Sequence, residues 1–249
     1  MARPGGPRVL VALPCYNEEK ALPSLLRKLD ALAAAAGPEV RFLLVDDGSR
    51  DGTPDLLAGY AAGRGDTEVI RHPVNLGLGA AVRTILEYAA THLEDDDVLV
   101  TMDGDDTHDP AMVPDMVAKL DREGLDLVVA SRYAPGAGEF GLGLHRRLLS
   151  RGASLFLRLF FPIPGVRDYS SGYRAYRVAL IRRAMRRWPS LVTTSGFDCM
   201  AELMAKMSRL EPQAGEHPLI LRYDRKQGRT KMRVLRTIRG YFRLLKEAG

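Results

Sequence analysis

Residues 98–107 read VLVTMDGDDT, an apolar β-branched run that stops at two aspartates one residue apart. The pattern predicts a strand over Val98–Met102 with Asp103, Gly104 and Asp105 just past its end. Two carboxylates so spaced both reach one hard cation. A divalent ion such as Mg²⁺ or Mn²⁺ takes oxygen ligands and keeps room for phosphate oxygens. Asp106 or Thr107 adds a further ligand or a water contact. Taken alone, the same pattern also reads as an acidic surface turn.

The grammar of an apolar run followed by polar punctuation repeats on both sides. Arg8–Leu13, Arg41–Val45, Thr67–Arg71 and Leu125–Ala130 read as strands. Ala21–Ala36, Pro54–Ala62, Gly79–Thr91 and Ala111–Leu120 have helical spacing, and Gly37-Pro38 is a helix stop. Strand–helix alternation at this spacing predicts an α/β fold built of βαβ units, with a mainly parallel sheet flanked by helices. Such sheets bind ligands at the carboxyl ends of their strands. The polar clusters fall at those ends: Cys15–Glu18, Asp46–Thr53, His72–Asn75, Asp103–Asp109 and Ser131–Tyr133. Ser49 and Asp51 suit a turn and a helix cap before Pro54, whereas Asp47 reads as facing a ligand.

The 249 residues carry 36 Lys and Arg against 31 Asp and Glu, but the balance is uneven along the chain. Residues 1–130 hold 12 basic and 23 acidic side chains, a net charge of −11; residues 131–249 hold 24 and 8, a net charge of +16. An acidic half suits a cation and a basic half suits a phosphorylated or membrane-bound partner. The composition excludes a wholly disordered chain. Two cysteines, Cys15 and Cys199, are too few for a disulfide scaffold and point to a reducing compartment. Cys199 reads as a buried side chain, while Cys15 is a candidate to line a nucleotide pocket. No run reaches the roughly 18 apolar residues of a membrane span, and the N-terminus does not read as a signal peptide. The expectation is a cytoplasmic protein, peripheral at most on the membrane face.

Together the segments are specific. Leu13-Pro14-Cys15-Tyr16-Asn17-Glu18, Val45-Asp46-Asp47-Gly48-Ser49-Arg50-Asp51-Gly52-Thr53, Asn75-Leu76-Gly77 and Asp103-Gly104-Asp105 occur in an order that resembles the inverting family 2 glycosyltransferases of the GT-A fold. Ser131-Arg132-Tyr133, Arg146–Ala153, Ser171–Arg177 and Asp224–Lys231 narrow the likeness to the dolichyl- or polyprenyl-phosphate mannose synthases. The resemblance runs through nearly the whole chain and implies a single GT-A domain over 1–249. Residues 1–130 would be its nucleotide-sugar and metal half, and 131–249 its basic acceptor half, a helical region.

The resemblance also implies roles. Pro14, Tyr16, Glu18, Val45 and Asp47 would hold the donor nucleoside. Asp103, Gly104 and Asp105 would meet metal and pyrophosphate, with Thr107 as a further oxygen ligand where the family often has Gln or Ser. Arg132 and Arg146 would bind the acceptor phosphate, and Arg225 and Lys231 would clamp phosphates near the C-terminus. Asp105 and Arg132 would carry the catalysis. The donor would be a nucleotide-diphosphate sugar, GDP-mannose first, with UDP-sugars open. The acceptor would be a polyprenyl phosphate, with a soluble hydroxyl acceptor as the alternative.

Residues Arg182, Arg183, Arg186 and Arg187 read as solvated surface without a site role. Asp198 and Glu202 share a helical face, and a hydroxyl acceptor would need one of them as general base. A phosphate acceptor is already an anion, which leaves Glu202 as an acceptor-side candidate. The Pro/Gly-rich stretch Ala134–Leu144 reads as a mobile loop. Leu155–Phe161 is apolar nearly all round and suits either a core helix or contact with the acceptor chain. Val234, Leu235, Ile238, Tyr241, Phe242 and Leu245 form an apolar helical face ringed by basic residues. That face suits an anionic membrane surface, a packed terminal helix or a homodimer contact. Nucleic acid is not an expected partner; a non-enzymatic polybasic membrane module is the alternative that would not need Asp103 and Asp105.

Overall fold

Parallel strands covered by helices on both faces must be apolar on both, which is why their runs are nearly continuous rather than alternating. The computed structural model, which describes residues 8–36, 39–141, 144–196 and 198–223, shows this directly. Strands β1 (Val9–Cys15), β2 (Val40–Asp46), β3 (Thr67–Arg71), β4 (Val98–Thr101) and β5 (Leu127–Ser131) fall on the five apolar runs. In β1, Leu10 and Ala12 point into one core while Val9, Val11 and Leu13 point into the other. Helices α1 (Leu22–Ala36), α2 (Thr53–Ala61), α3 (Leu78–His92) and α4 (Val113–Arg122) connect them, a 3₁₀ turn at Pro110–Met112 leading into α4. Leu22, Leu25, Leu26, Leu29 and Leu32 bury one stripe of α1 at helical spacing. The basic half adds β6 (Gly138–Phe140), α5 (Leu144–Phe160), β7 (Arg174–Arg177), α6 (Val178–Arg187), α7 (Cys199–Ser208), β8 (Ala214–Pro218) and β9 (Ile220–Arg222).

The sheet order is β3-β2-β1-β4-β7-β5-β8. All neighbours run parallel except β7, which is antiparallel to both β4 and β5. A strand from the basic half is therefore inserted between two strands of the acidic half, and β8 extends the same sheet. The sequence reading placed no strand beyond Ala130. The run Arg174–Arg177, with two arginines in four residues, hides its strand, because Arg174 is fully buried and donates to Tyr169 O, Met200 O and the Tyr176 hydroxyl.

Two further expectations change. Part of the stretch taken as a mobile loop is strand β6, paired in parallel with β9. Arg182 and Arg183 are not simply solvated: Arg182 donates to Ala90 O, Leu93 O and Asp95, and Arg183 to Leu210 O. With Arg177 on Asp121, they place charge of the basic half on acids of the other half. Among the described residues, no helix is long and apolar enough to cross a membrane.

Candidate active site

Strands β1, β2 and β4 run parallel, so their carboxyl ends open on one edge. A cleft of ≈ 280 Å³ lies there. The end of β1 contributes Pro14, Cys15, Tyr16 and Glu18; β2 contributes Asp47; β4 contributes Asp103, Gly104 and Asp105. Asn75, Gly77, Leu78 and Ala81 close the α3 side, and Ser195 and Gly196, from the basic half, complete the wall. The structure thus gathers seven predicted donor residues and Cys15. It does not gather Val45, which is fully buried in the sheet core with Leu43 and Leu10. Its place in a strand covered on both faces excludes it from the cleft wall.

The first two polar loops are stapled together. Asn17 N donates to Ser49 Oγ at 2.9 Å, Glu18 N to Thr53 Oγ1 at 2.7 Å, and Gly52 N to Glu19 Oε2 at 2.9 Å. Asp51 Oδ1 accepts from Thr53 N at the first residue of α2, but the N-cap position is Gly52, which makes no side-chain cap, so Asp51 serves the turn before the helix. Asp47 lines the cleft and is also engaged within the protein. Both its oxygens take partners there: Oδ1 accepts from Leu76 N at 3.0 Å and bonds His72 Nδ1 at 2.8 Å, while Oδ2 accepts from Asn75 Nδ2 and Gly77 N, each at 2.9 Å. Its carboxylate shapes the 72–77 loop.

At β4, Thr107 donates through Oγ1 (2.6 Å) and N (3.2 Å) to Asp105 Oδ1, which orients that carboxylate. Asp106 turns away to Lys28 on α1 and leaves the pair. His108 Nδ1 accepts from Asp103 N. Asp105 is buried while the Asp103 side chain is 38% exposed, so the two oxygens sets meet the cleft from its floor and its mouth. Gly104 is squeezed: a Cβ there would come 2.9 Å from Pro14 O and 3.0 Å from Cys15 Sγ. All-oxygen donors in this setting fit a hard divalent cation, though no cluster of three or more His, Cys, Asp or Glu suited to a metal occurs among the described residues. Two carboxylates would leave the remaining ligands of such a cation to come from outside the protein.

Arg132 lies at the end of β5, where its Nε and Nη2 grip Asp168 at 2.8 and 2.7 Å; Nη2 also donates to Ser170 Oγ, and Glu139 stands 3.8 Å from Nη1. Asp168 is fully buried and accepts additionally from Arg132 N, Ser170 N and Ser171 N. Burial alone would raise its carboxyl, but the Arg132 charge and these donors hold it below the ordinary range. The adjoining strap touches the metal candidate: a Cβ on Gly172 would come 3.0 Å from Asp103 Oδ1. Arg146 falls within α5, where its side chain is outside the described part; Arg225, Lys231 and the amphipathic run 234–245 lie outside the described residues.

Glu202 is not at the cleft surface. It is buried on α7 and accepts from the backbone N–H and hydroxyl of both Thr193 and Thr194 and from Lys206. Burial opposes its ionisation, yet these donors hold its carboxyl below the ordinary value. Its work is to fix the 193–196 segment. Nothing in the sequence around Thr193 marked that segment as cleft wall. Cys199 is buried, and burial pushes its thiol up, so it is inert packing.

The sequence profile described as Glycosyl transferase family 2 matches residues 10–184. The undecaprenyl-phosphate mannosyltransferase of Micrococcus luteus is 31% identical over 226 residues, which cover 90% of this chain and 87% of that protein. The polyprenol monophosphomannose synthase of Mycolicibacterium smegmatis is 34% identical over 177 residues, 71% of this chain and 64% of that protein. Among solved structures, glucosyl-3-phosphoglycerate synthase from Mycobacterium tuberculosis, in complex with Mn²⁺ and UDP-glucose, superposes with a TM-score of 0.68 at 22% identity. The match covers 98% of this chain and 79% of that one. The same enzyme with Mn²⁺, UDP and glucosyl-3-phosphoglycerate gives 0.66. At that identity the likeness concerns the GT-A-like fold alone.

Proposed function

The chain belongs to glycosyl transferase family 2, and from that premise we propose that it moves a hexosyl group from a nucleotide-diphosphate sugar, GDP-mannose first, onto a polyprenyl phosphate. The observation that carries the donor side is the convergence of Tyr16, Glu18, Asp103 and Asp105 on one cleft at the carboxyl edge of the sheet. Tyr16 offers a stacking face to the base and Glu18 accepts from nucleoside hydroxyls or base N–H groups. Asp103 and Asp105 would hold the divalent cation, Mg²⁺ or Mn²⁺, with Thr107 orienting Asp105. Bound there, a divalent cation supplies charge neutralisation that makes the diphosphate a better leaving group.

The reaction is a displacement at the anomeric carbon. A lipid phosphate oxygen attacks from the face opposite the diphosphate, the new C–O bond forms as the old one breaks, and configuration inverts. A phosphate oxygen that is already anionic needs no general base, which agrees with Glu202 being fully engaged in the protein. Bringing two anions together is the difficulty, and it is met by positioning and by positive charge. Arg132, fixed by Asp168, and Arg146 on α5 are assigned to the acceptor phosphate; Arg225 and Lys231 are assigned to the donor phosphates.

A lipid acceptor requires contact with a lipid surface. The C-terminal part of helix α5 divides its faces: Leu157, with Phe161 just past the helix, enters the core, while Leu155, Leu159 and Phe160 are exposed beside exposed Arg151 and Arg158. That surface supports a peripheral membrane contact.

The test is transfer of radiolabelled sugar into an organic phase, with polyprenyl phosphate present or absent, from GDP-mannose and from UDP-glucose in Mn²⁺. Lipid-dependent label from GDP-mannose is the expected result. Label that stays aqueous with either donor would overturn the acceptor assignment, and transfer undiminished by chelator would overturn the role of Asp103 and Asp105.

A further inference from the structure

A guanidinium carries five N–H donors, and where they are spent decides what else it can bind. Arg132 spends Nε and Nη2 on Asp168, and Nη2 also on Ser170 Oγ. Nη1 donates to no group among the described residues. Beside it stands the Glu139 carboxylate, with Oε1 3.8 Å from Nη1, too far for a hydrogen bond but close enough for attraction between charges. The side chains of Arg132, Glu139 and Asp168 are 11%, 8% and 0% exposed. One buried cation is thus flanked by two buried carboxylates, and a phosphate takes Nη1 only by replacing one of them.

The two carboxylates are not held alike. Asp168 also accepts from Arg132 N, Ser170 N, Ser170 Oγ and Ser171 N, which fixes it. Glu139 sits on β6, three residues long, whose strand partner is β9 alone among the described residues. Two glycines at positive φ, Gly136 at 86° and Gly141 at 78°, flank that strand. Glu139 pairs in register with Leu221, and both side chains turn inward while Phe140 and Ile220 are exposed. Glu139 is therefore the carboxylate that can yield. The place adjoins the cleft, because Ser170 leads to Gly172, where a Cβ would come 3.0 Å from Asp103 Oδ1.

We infer that Glu139 is a specificity-determining residue, an internal competitor that an acceptor phosphate must displace from Arg132; this rests on the assignment of Arg132 to the acceptor phosphate above. A carboxylate tethered beside its cation competes at a high effective concentration. A phosphodiester carries one negative charge, as the carboxylate does, and gains nothing by the exchange. A phosphomonoester carries about −1.5 to −2 near pH 7 and three terminal oxygens, and it displaces the carboxylate. Glu139 admits a polyprenyl phosphate and refuses the phosphodiester headgroups that a lipid surface presents in excess.

The experiment is calorimetric binding of farnesyl phosphate, a phosphomonoester, and of its methyl ester, a phosphodiester, to the full chain, with thermal melts of each variant. The wild type prefers the monoester about tenfold or more. Glu139→Gln tightens the diester about tenfold and the monoester less, so the preference collapses. Glu139→Asp keeps the charge and holds the preference within about twofold of the wild type. A side chain that only propped the β6–β9 pair would weaken both ligands when changed and tighten neither. A Glu139→Gln variant that weakens both esters or keeps the preference, or a Glu139→Asp variant that loses it as fully, would overturn the inference. So would a wild type that binds the two esters alike, a result that needs no variant to fold. A wild type that binds neither ester, or Arg132→Gln with undiminished affinity for farnesyl phosphate, would instead remove the acceptor assignment of Arg132, and the inference with it.

Discussion

The peptide oxygen of Thr194 presses on Gly79: a Cβ at Gly79 would stand 1.8 Å from it, and Gly79 N donates to Ser195 O at 3.3 Å. Gly77, two residues earlier at φ 93°, is packed against Ser195 O, which lies 2.4 Å from where its Cβ would stand, and its N–H donates to Asp47. One contact thus joins the acidic half's Asn75–Gly79 turn to the basic half's cleft wall.

Gly79 lies in the first turn of α3, so two effects compete in Gly79→Ala. Helix propensity alone would stabilise by about 1 kcal/mol. Overpacking against a backbone oxygen costs about 1–3 kcal/mol, and backbone cannot yield as a flexible side chain does. The steric effect wins. The expected outcome is a fall in melting temperature of a few degrees, about 2–4 °C per kcal/mol for a chain of this size, together with weaker nucleotide binding as Ser195 and Gly196 shift. A stabilised variant would show that the two segments part without loss.

Glu202→Gln tests the anchor of the same wall. Replacing a buried carboxylate that serves five donors removes about 3 kcal/mol, roughly 6–12 °C. The pH dependence has a definite sign. The folded-state carboxyl sits below its ordinary value, so the unfolded chain binds the proton first as pH falls. The stabilisation is therefore complete above the unfolded value of about 4.3 and is lost as pH drops through the lower folded one. Melting curves of wild type and Glu202→Gln, well apart at pH 7, converge toward pH 3. Asp168, lowered in the same direction, steepens the wild-type decline in that acidic range.

Much of this was legible because βαβ folds announce themselves through short apolar runs. The strands from Val9 to Ser131 lie where the runs lie, and the cleft collects Tyr16, Glu18, Asp103 and Asp105 because parallel strands share a carboxyl edge. Strand β7 was hidden because Arg174 satisfies its charged group with carbonyl oxygens inside the core, which periodicity cannot foresee. The partners that Asp47 takes within the protein were not legible because a carboxylate at a strand end serves a ligand or a turn equally well in sequence. Its four partners, His72, Asn75, Leu76 and Gly77, are set by tertiary packing. The wall at Ser195 and Gly196 depends on a contact across more than 110 residues, which no local pattern reports.

Thr107→Val separates orientation from ligation. The hydroxyl donates to Asp105 Oδ1 at 2.6 Å, so its loss leaves both aspartates in place and removes the shorter of the two Thr107 bonds that orient the Asp105 carboxylate, the backbone N–H bond remaining. Loss of one hydrogen bond to a charged group is worth about 1.5–3 kcal/mol, roughly 10–100-fold. The expected result is that much weaker Mn²⁺-dependent nucleotide binding with little change in melting temperature, whereas Asp105→Ala abolishes the Mn²⁺ dependence. Binding in Thr107→Val that matches the wild type in Mn²⁺ would show that the hydroxyl does not orient the carboxylate.

On α5 the geometry makes the lipid surface testable without touching the cleft. Leu155 and Leu159 are four apart, on one line with Arg151, and are 56% and 70% exposed. Their partial insertion at a lipid interface is worth about 2–3 kcal/mol together, which is roughly 30–150-fold in partitioning. Each basic residue beside an anionic surface adds about 1 kcal/mol and makes the binding salt-sensitive. The double variant Leu155→Ser, Leu159→Ser should therefore lose co-sedimentation with vesicles containing anionic lipid, while it keeps its nucleotide affinity and melting temperature, because neither side chain supports the core. Arg151→Gln with Arg158→Gln should leave the apolar contribution but flatten the salt dependence. Turnover of a polyprenyl-phosphate acceptor in vesicles should fall in the leucine variant far more than turnover of a short-chain acceptor free in solution. Vesicle binding that survives the leucine changes would move the lipid contact away from α5.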